Sequence, residues 1–187
     1  MNNWLYAGVV PANPWRSAMT LPRELELVKV DGRYVLASKV VREIENIASE
    51  WETITDGSLG SHDAYQLRLT LDMTKENTWR LSNGKNEYLE FYVNPGARMI
   101  VARRNGSTGA SSFSASFSLP ALRMPVEGNE DSIELDIFVD RSSVEFFTAD
   151  GTSAMTMIVF PENIYDKIEC ASGEIDGKVR SLARIWK

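Results

Sequence analysis

The sequence predicts an all-β domain, a sandwich of two packed antiparallel sheets. Two observations carry that prediction: short segments of alternating apolar and polar residues recur along the chain, and turn dipeptides separate them. A third supports it, since no stretch keeps a helical period for a useful length. AYQLRLTLD (64–72) shows the pattern best, with Tyr65, Leu67, Leu69 and Leu71 on one side and Gln66, Arg68, Thr70 and Asp72 on the other. A barrel would share these features; two-faced alternation over about a dozen strands suits two packed sheets better.

Taken in order, residues 1–23 read as a strand followed by an extended, proline-punctuated connector, and 24–187 as the sandwich. Pro14 and Pro22 fix φ and remove donors, which lays PANPWRSAMTLP along a packed surface. ELELVKV (24–30) and RYVLASKVV (33–41) flank Asp31-Gly32, a two-residue hairpin turn. VVREIENIASEWE (40–52) has room for a helical turn or two. NEYLEFYVN (86–94) and ARMIVARR (97–104) are joined by Pro95-Gly96, and Asn83-Gly84 and Asn105-Gly106 mark further turns. SIELDIFVD (132–140), SVEFFTAD (143–150) and SAMTMIVFP (153–161) follow, the last two joined by Asp150-Gly151, and KVRSLARIW (178–186) closes the pattern.

Composition narrows the function. At 187 residues the chain buries a real core. Lys plus Arg number 20 against 26 Asp plus Glu, a net charge of −6 with no basic run, which argues against a nucleic-acid partner. Apolar runs fall far short of the ~20 residues that span a bilayer, so no membrane partner is expected. The lone Cys170 excludes an internal disulfide. The single His62 sits in GSLGSHDAY with no nucleophile or orienter beside it, so no hydrolytic triad forms there. One His and one Cys far apart make no metal site, no glycine loop cradles a phosphate, and no cofactor is expected. Carboxylates abound, but exposed strand faces carry them for solubility, and no catalytic pair stands out.

Two stretches carry a family resemblance. Met1-Asn2-Asn3-Trp4-Leu5-Tyr6, Pro14-Trp15-Arg16-Ser17 and Leu21-Pro22-Arg23-Glu24-Leu25 resemble the propeller-to-sandwich junction of glycoside hydrolase family 32. Phe138-Val139-Asp140-Arg141-Ser142-Ser143-Val144-Glu145-Phe146-Phe147 resembles the hallmark hairpin of that family's C-terminal sandwich, and Phe160-Pro161 fits as well. The resemblance implies a concanavalin/lectin-like sandwich of a levanase, exo-inulinase or invertase, beginning inside the last blade of an absent catalytic propeller. The family's three catalytic carboxylates would then lie upstream. Met1-Asn2-Asn3-Trp4 superficially matches the nucleophile motif but has asparagine where aspartate is needed. Glu169-Cys170 superficially matches the acid/base dipeptide, far from where that motif belongs. The chain is therefore expected to be catalytically inactive by itself. Without blade partners, the strand over 1–10 is expected to fray or to pair with the sandwich or a neighbouring chain.

Two roles remain open for the hairpin. In the first, Asp140 accepts from nearby backbone amides in an Asx turn, Arg141 pairs with Glu145 or another carboxylate, and the hairpin is a structural lock. In the second, Asp140, Arg141 and Glu145 recognise a fructosyl unit, because alternation sets Glu145 opposite Val144 and Phe146, towards solvent. The resemblance further implies that Asn3 and Trp4 lie near the parent's substrate funnel, where Trp4 either packs or touches sugar. Arg16 and Arg23 are expected to bridge the domain junction through bidentate pairs. Trp51, Trp79 and Tyr92 belong to the core or to a stacking platform. Expected partners are the chain's own propeller, fructan or sucrose, and a second copy in a homodimer; fructans being polymers, an extracellular or cell-surface setting follows. The alternatives are a stand-alone fructan-binding module and a purely structural or oligomerisation domain.

Overall fold

The computed structural model describes residues 5–12, 16–104, 114–118 and 121–185. β1 (Arg23–Val30) and β2 (Arg33–Val40) pair as an antiparallel ribbon with Val30 opposite Arg33. Its turn takes Asp31 to φ 47° and Gly32 to φ 83°, the two left-handed positions that a two-residue hairpin matching strand twist requires. A 3-10 turn follows at Arg42–Asn46, where a helical turn was expected.

The remaining strands form two antiparallel sheets. One takes the order β11 (Ala154–Ile158), β10 (Ser143–Thr148), β9 (Ser132–Val139), β4 (Tyr65–Asp72), β13 (Gly177–Ser181), β3 (Glu52–Thr53). The other takes the order β12 (Lys167–Cys170), β5 (Asn77–Ser82), β6 (Tyr88–Asn94), β7 (Met99–Arg103), β8 (Leu122–Pro125). Sequence alternation finds the long strands and misses β3, β5, β8 and β12. β3, β8 and β12 are short, and β5 carries only Trp79 and Leu81 as buried apolar residues, too few to make a period. Pro95-Gly96 is a single 3-10 turn capped by the Asn94 side chain, which accepts from the Ala97 amide at 3.1 Å. The Asn105-Gly106 turn lies outside the described residues.

The core lies between the sheets. Leu67, Leu69, Leu135, Ile137, Val144 and Phe146 face Trp79, Leu81, Leu89, Phe91, Val93 and Ile100 in one cluster. Phe91 stacks on Trp79 with centroids 5.5 Å apart and meets Phe146 of the opposite sheet edge-on at 5.4 Å. The first contact lies within one sheet, and the second ties the two sheets together.

A second, smaller cluster holds the chain's start. Residues 5–9 form turns, not the strand expected there, yet Tyr6 and Val10 are buried against Phe117 and Ile158. Arg104 organises this cluster. It is 2% exposed and donates to the Phe117 carbonyl at 2.9 Å, the Ile158 carbonyl at 2.8 Å and the Tyr6 hydroxyl at 3.1 Å. Its guanidinium also lies 4.0 Å from the centre of the Phe117 ring. Among the described residues no carboxylate pairs with it, so carbonyl dipoles and ring faces carry the charge.

The ribbon docks at Gly151. Ser38 donates its amide to the Gly151 carbonyl at 2.7 Å, and a Cβ on Gly151 would come 2.5 Å from Lys39 Cγ. With φ at 75°, glycine serves both the turn and the close approach. At its tip, Asp31 accepts from Asn129 and Arg33 pairs with Glu127. One ribbon face stays open: Leu25, Leu27, Leu36 and Tyr34, which the register places together, are 65%, 68%, 55% and 74% exposed.

Because Phe146 is fully buried at the contact between sheets, Phe146→Ala is expected to lower unfolding free energy by about 3–5 kcal/mol in urea titrations. A loss below about 1 kcal/mol would mean that the sheets do not meet there.

Candidate functional site

The hairpin between β9 and β10 forms the expected Asx turn. Asp140 Oδ1 accepts from the Ser142 and Ser143 amides, both at 2.7 Å, and the Asp140 amide donates to the Ser143 carbonyl at 3.0 Å. The turn is anchored to the next strand, since Val159 donates to the Ser142 carbonyl at 3.0 Å. Arg141 at its tip is exposed, and among the described residues it makes no ion pair with Glu145 or any other carboxylate. It lines a cleft of about 770 Å³ together with His62, Asp63, Phe160, Glu162 and Asp166. Asp166 Oδ1 is buried there without a hydrogen-bond partner among the described residues.

Glu145 has a different setting. Alternation places it correctly, on the face opposite Val144 and Phe146, but that face is not open to solvent here: Glu145 is 2% exposed. The reason is that the connector before β1 lies over it. Glu145 Oε1 accepts from the Leu21 amide at 2.8 Å, while Oε2 accepts from Arg23 Nη2 at 2.7 Å and Thr156 Oγ1 at 3.0 Å. The same Arg23 nitrogen donates to Thr156 Oγ1 at 2.9 Å, and its guanidinium lies 4.8 Å from the Phe147 ring centre. The two sequence motifs, Leu21–Leu25 and Phe138–Phe147, are therefore joined by one buried ion pair. The expected bidentate geometry at Arg23 is not formed; one nitrogen serves both partners and Nε is buried without one. Arg16 is exposed, and Asn3 and Trp4 lie outside the described residues.

A second polar cluster escaped sequence reasoning. Register sets Thr156, Glu145, Phe138, Gln66 and Arg180 in one row across the outer face of the six-stranded sheet. Arg180 forms a bidentate pair with Glu45 of the 3-10 turn, both contacts at 2.6 Å, and donates Nε to Gln66 Oε1 at 2.8 Å. In the next row Arg68 forks onto Asp136 at 2.7 and 2.8 Å. Trp51 sits among these cations, with Arg180, Lys178 and Arg68 at 4.3, 5.0 and 5.3 Å from its ring. The cross-strand register was the missing information: Gln66, Arg68 and Arg180 come from distant segments and read singly as exposed strand residues.

The other singled-out residues fall in ordinary places. Trp79 is core, and Arg103 lies 5.0 Å from the Tyr92 ring centre. Glu169-Cys170 belongs to β12, where Glu169 stands opposite Arg80 and Cys170 meets Asn77 and Ser172. Among the described residues, no group of three or more His, Cys, Asp or Glu is placed to hold a metal ion.

With the sandwich and its hairpin in place, comparison with known proteins is decisive. The model of the C-terminal region of glycosyl hydrolases family 32 matches residues 36–187. The chain belongs to that family. It is 31% identical over its whole length to a levanase of Bacillus subtilis, of which it spans 30%. Over 87% of its length it is 28% identical to an extracellular exo-inulinase of Aspergillus niger, spanning 33% of that protein. The fold matches the crystal structure of exo-inulinase from Aspergillus awamori with a TM-score of 0.83 at 24% identity, covering all of this chain and 40% of that one. The family 32 domain thus makes up about a third of the curated relatives it matches.

Two outcomes follow from this geometry. Arg23→Met strips the strongest donor from a buried carboxylate and is expected to cost about 1.5–3 kcal/mol in chemical denaturation, whereas Arg141→Ala should stay within about 0.5 kcal/mol of wild type. Equal effects would contradict the assignment of the lock to Glu145. The second concerns pH. The hydrogen bond from Arg180 holds the Glu45 carboxyl below its ordinary 4.5, so the pair's contribution is present above pH 4.5 and lost as pH falls through the lowered value. Amide exchange over Arg42–Asn46 should therefore speed up only below that pH, and Glu45→Gln should abolish the transition.

Proposed function

We propose that this chain is the C-terminal sandwich of a fructan-hydrolysing, levanase-like β-fructofuranosidase, and that it braces a catalytic propeller lying upstream in the full-length protein. The observation that carries the reading is the Arg23–Glu145 pair at 2.7 Å, which fixes the segment entering the sandwich to the sandwich's own hairpin. A segment held at both Glu145 and Arg104 transmits the orientation of whatever precedes it. The family membership and the greater length of the levanase and exo-inulinase relatives support the propeller. The open apolar face of Leu25, Leu27, Tyr34 and Leu36 supports the brace, because a patch of this kind marks a packing surface. At the hairpin, a contact with fructan would fall to Arg141 and its cleft, since Glu145 is committed to Leu21, Arg23 and Thr156.

The 187-residue chain is expected to release no reducing sugar from sucrose, levan or inulin. In the full-length polypeptide, Leu27→Glu with Leu36→Lys, an opposite-charge pair across the register, should lower the melting temperature of the catalytic portion by several degrees. The same substitutions should leave the isolated chain within about 0.5 kcal/mol of wild type, because they touch only exposed positions. An unchanged melting temperature in the full-length polypeptide would contradict the brace.

A further inference from the structure

Cross-strand register sets a row of charges on the outer face of the five-stranded sheet, across the core from Glu145. Glu169 of β12 stands opposite Arg80 of β5, Arg80 opposite Glu90 of β6, and Glu90 opposite Arg103 of β7. The signs alternate along the row: minus, plus, minus, plus. At its centre Arg80 pairs with Glu90 at 3.3 Å. Its ends stay open. Glu169 and Arg103 are both exposed, and among the described residues Glu169 meets no cation and Arg103 no carboxylate. The rows on either side alternate in size, with Tyr88 on β6 opposite Ser82 on β5, and Tyr92 opposite Thr78. Arg80 lies 4.4 Å from the centre of the Tyr88 ring and Arg103 5.0 Å from that of Tyr92, which holds both guanidinium groups to the sheet.

An alternating row of four charges is complementary to itself reversed. A two-fold axis parallel to the strands, between β5 and β6, turns the face over and keeps each row in step. It brings Arg103 of one copy over Glu169 of the other, and Arg80 over Glu90, so every contact along the row joins opposite signs. The same rotation sets Tyr88 over Ser82 and Tyr92 over Thr78, large side chains over small ones. An axis along the row would set like charges together, so the pattern selects one geometry. A strand face that is merely solvated has no reason to leave its two unpaired charges opposite in sign and symmetric about the midpoint of the row. Tyrosine and arginine are also the side chains enriched where proteins meet. Four strands, with five residues along each, span roughly 19 by 17 Å, small for a permanent dimer and suited to a reversible one.

We propose that this face pairs two copies of the chain in a reversible two-fold dimer, with Arg103 of each copy on Glu169 of the other. Sedimentation velocity of the 187-residue chain over a concentration series tests it. Wild type is expected to pass from monomer to dimer as concentration rises, and to return to monomer in about 1 M NaCl, where the screening length falls to about 3 Å. Arg103→Glu and Glu169→Arg each set like charges together twice in a dimer and are expected to weaken it about tenfold or more. Both positions are exposed, so both variants are expected to fold. Mixed in equal amounts, the two variants restore both pairs between copies and should associate about as wild type does. Mixing leaves the neighbours within each chain unchanged, so recovery reports on contact between copies alone. Monomer at every concentration, a dimer indifferent to salt, either variant dimerising as strongly as wild type, or a mixture as weak as its components would each overturn the proposal. None of these outcomes touches the bracing role, which is decided at Leu27 and Leu36 of the β1–β2 ribbon.

Discussion

A carboxylate placed in the middle of a sheet face must be hydrogen-bonded or it destabilises the fold by several kcal/mol. Glu145 is such a group, and much of the outer architecture follows from meeting its demand. Its partners are the Leu21 amide, the Arg23 guanidinium and the Thr156 hydroxyl, and only Thr156 comes from the same sheet. The connector is therefore not free to choose its path. Once Leu21 and Arg23 are seated, β1 starts at a fixed place, β2 returns beside it, and Ser38 reaches the Gly151 carbonyl. The result is a covered sheet face where an isolated sandwich would show an open one.

The chain's start is held by different chemistry. Arg104 has no carboxylate among the described residues, so two carbonyls, a phenol and two aromatic rings stabilise its charge. Both anchors pair a charged group of the sandwich with residues that precede it. The bracing role proposed above draws on these two anchors.

How much of this was legible beforehand divides along physical lines. Period-two alternation fixes which face a residue takes, and it placed Leu67, Leu69, Ile137 and Phe146 in the core and Glu145 on the other side. It carries no information on whether the other side is covered, which is why Glu145 was expected in solvent. Motif resemblance flagged Leu21–Leu25 and Phe138–Phe147 as separate hallmarks, but their joining is a contact across more than a hundred residues that no local pattern encodes. Asp140 was legible because an Asx turn is local, closing onto Ser142 and Ser143. Gln66 and Arg104 were not, because their meaning lies in cross-strand register and in a neighbouring loop.

The most direct test of the central claim is hydrogen exchange at one amide, Leu21. It lies in no strand, and its only described partner is Glu145 Oε1 at 2.8 Å. If the buried carboxylate organises the connector, this amide in the 187-residue chain is protected well above the exposed residues around it. Glu145→Ala then returns it to the rate of unstructured chain while the core amides of Ile137 stay protected. Exchange at the unstructured rate in wild type, under conditions where Ile137 is protected, would contradict the account.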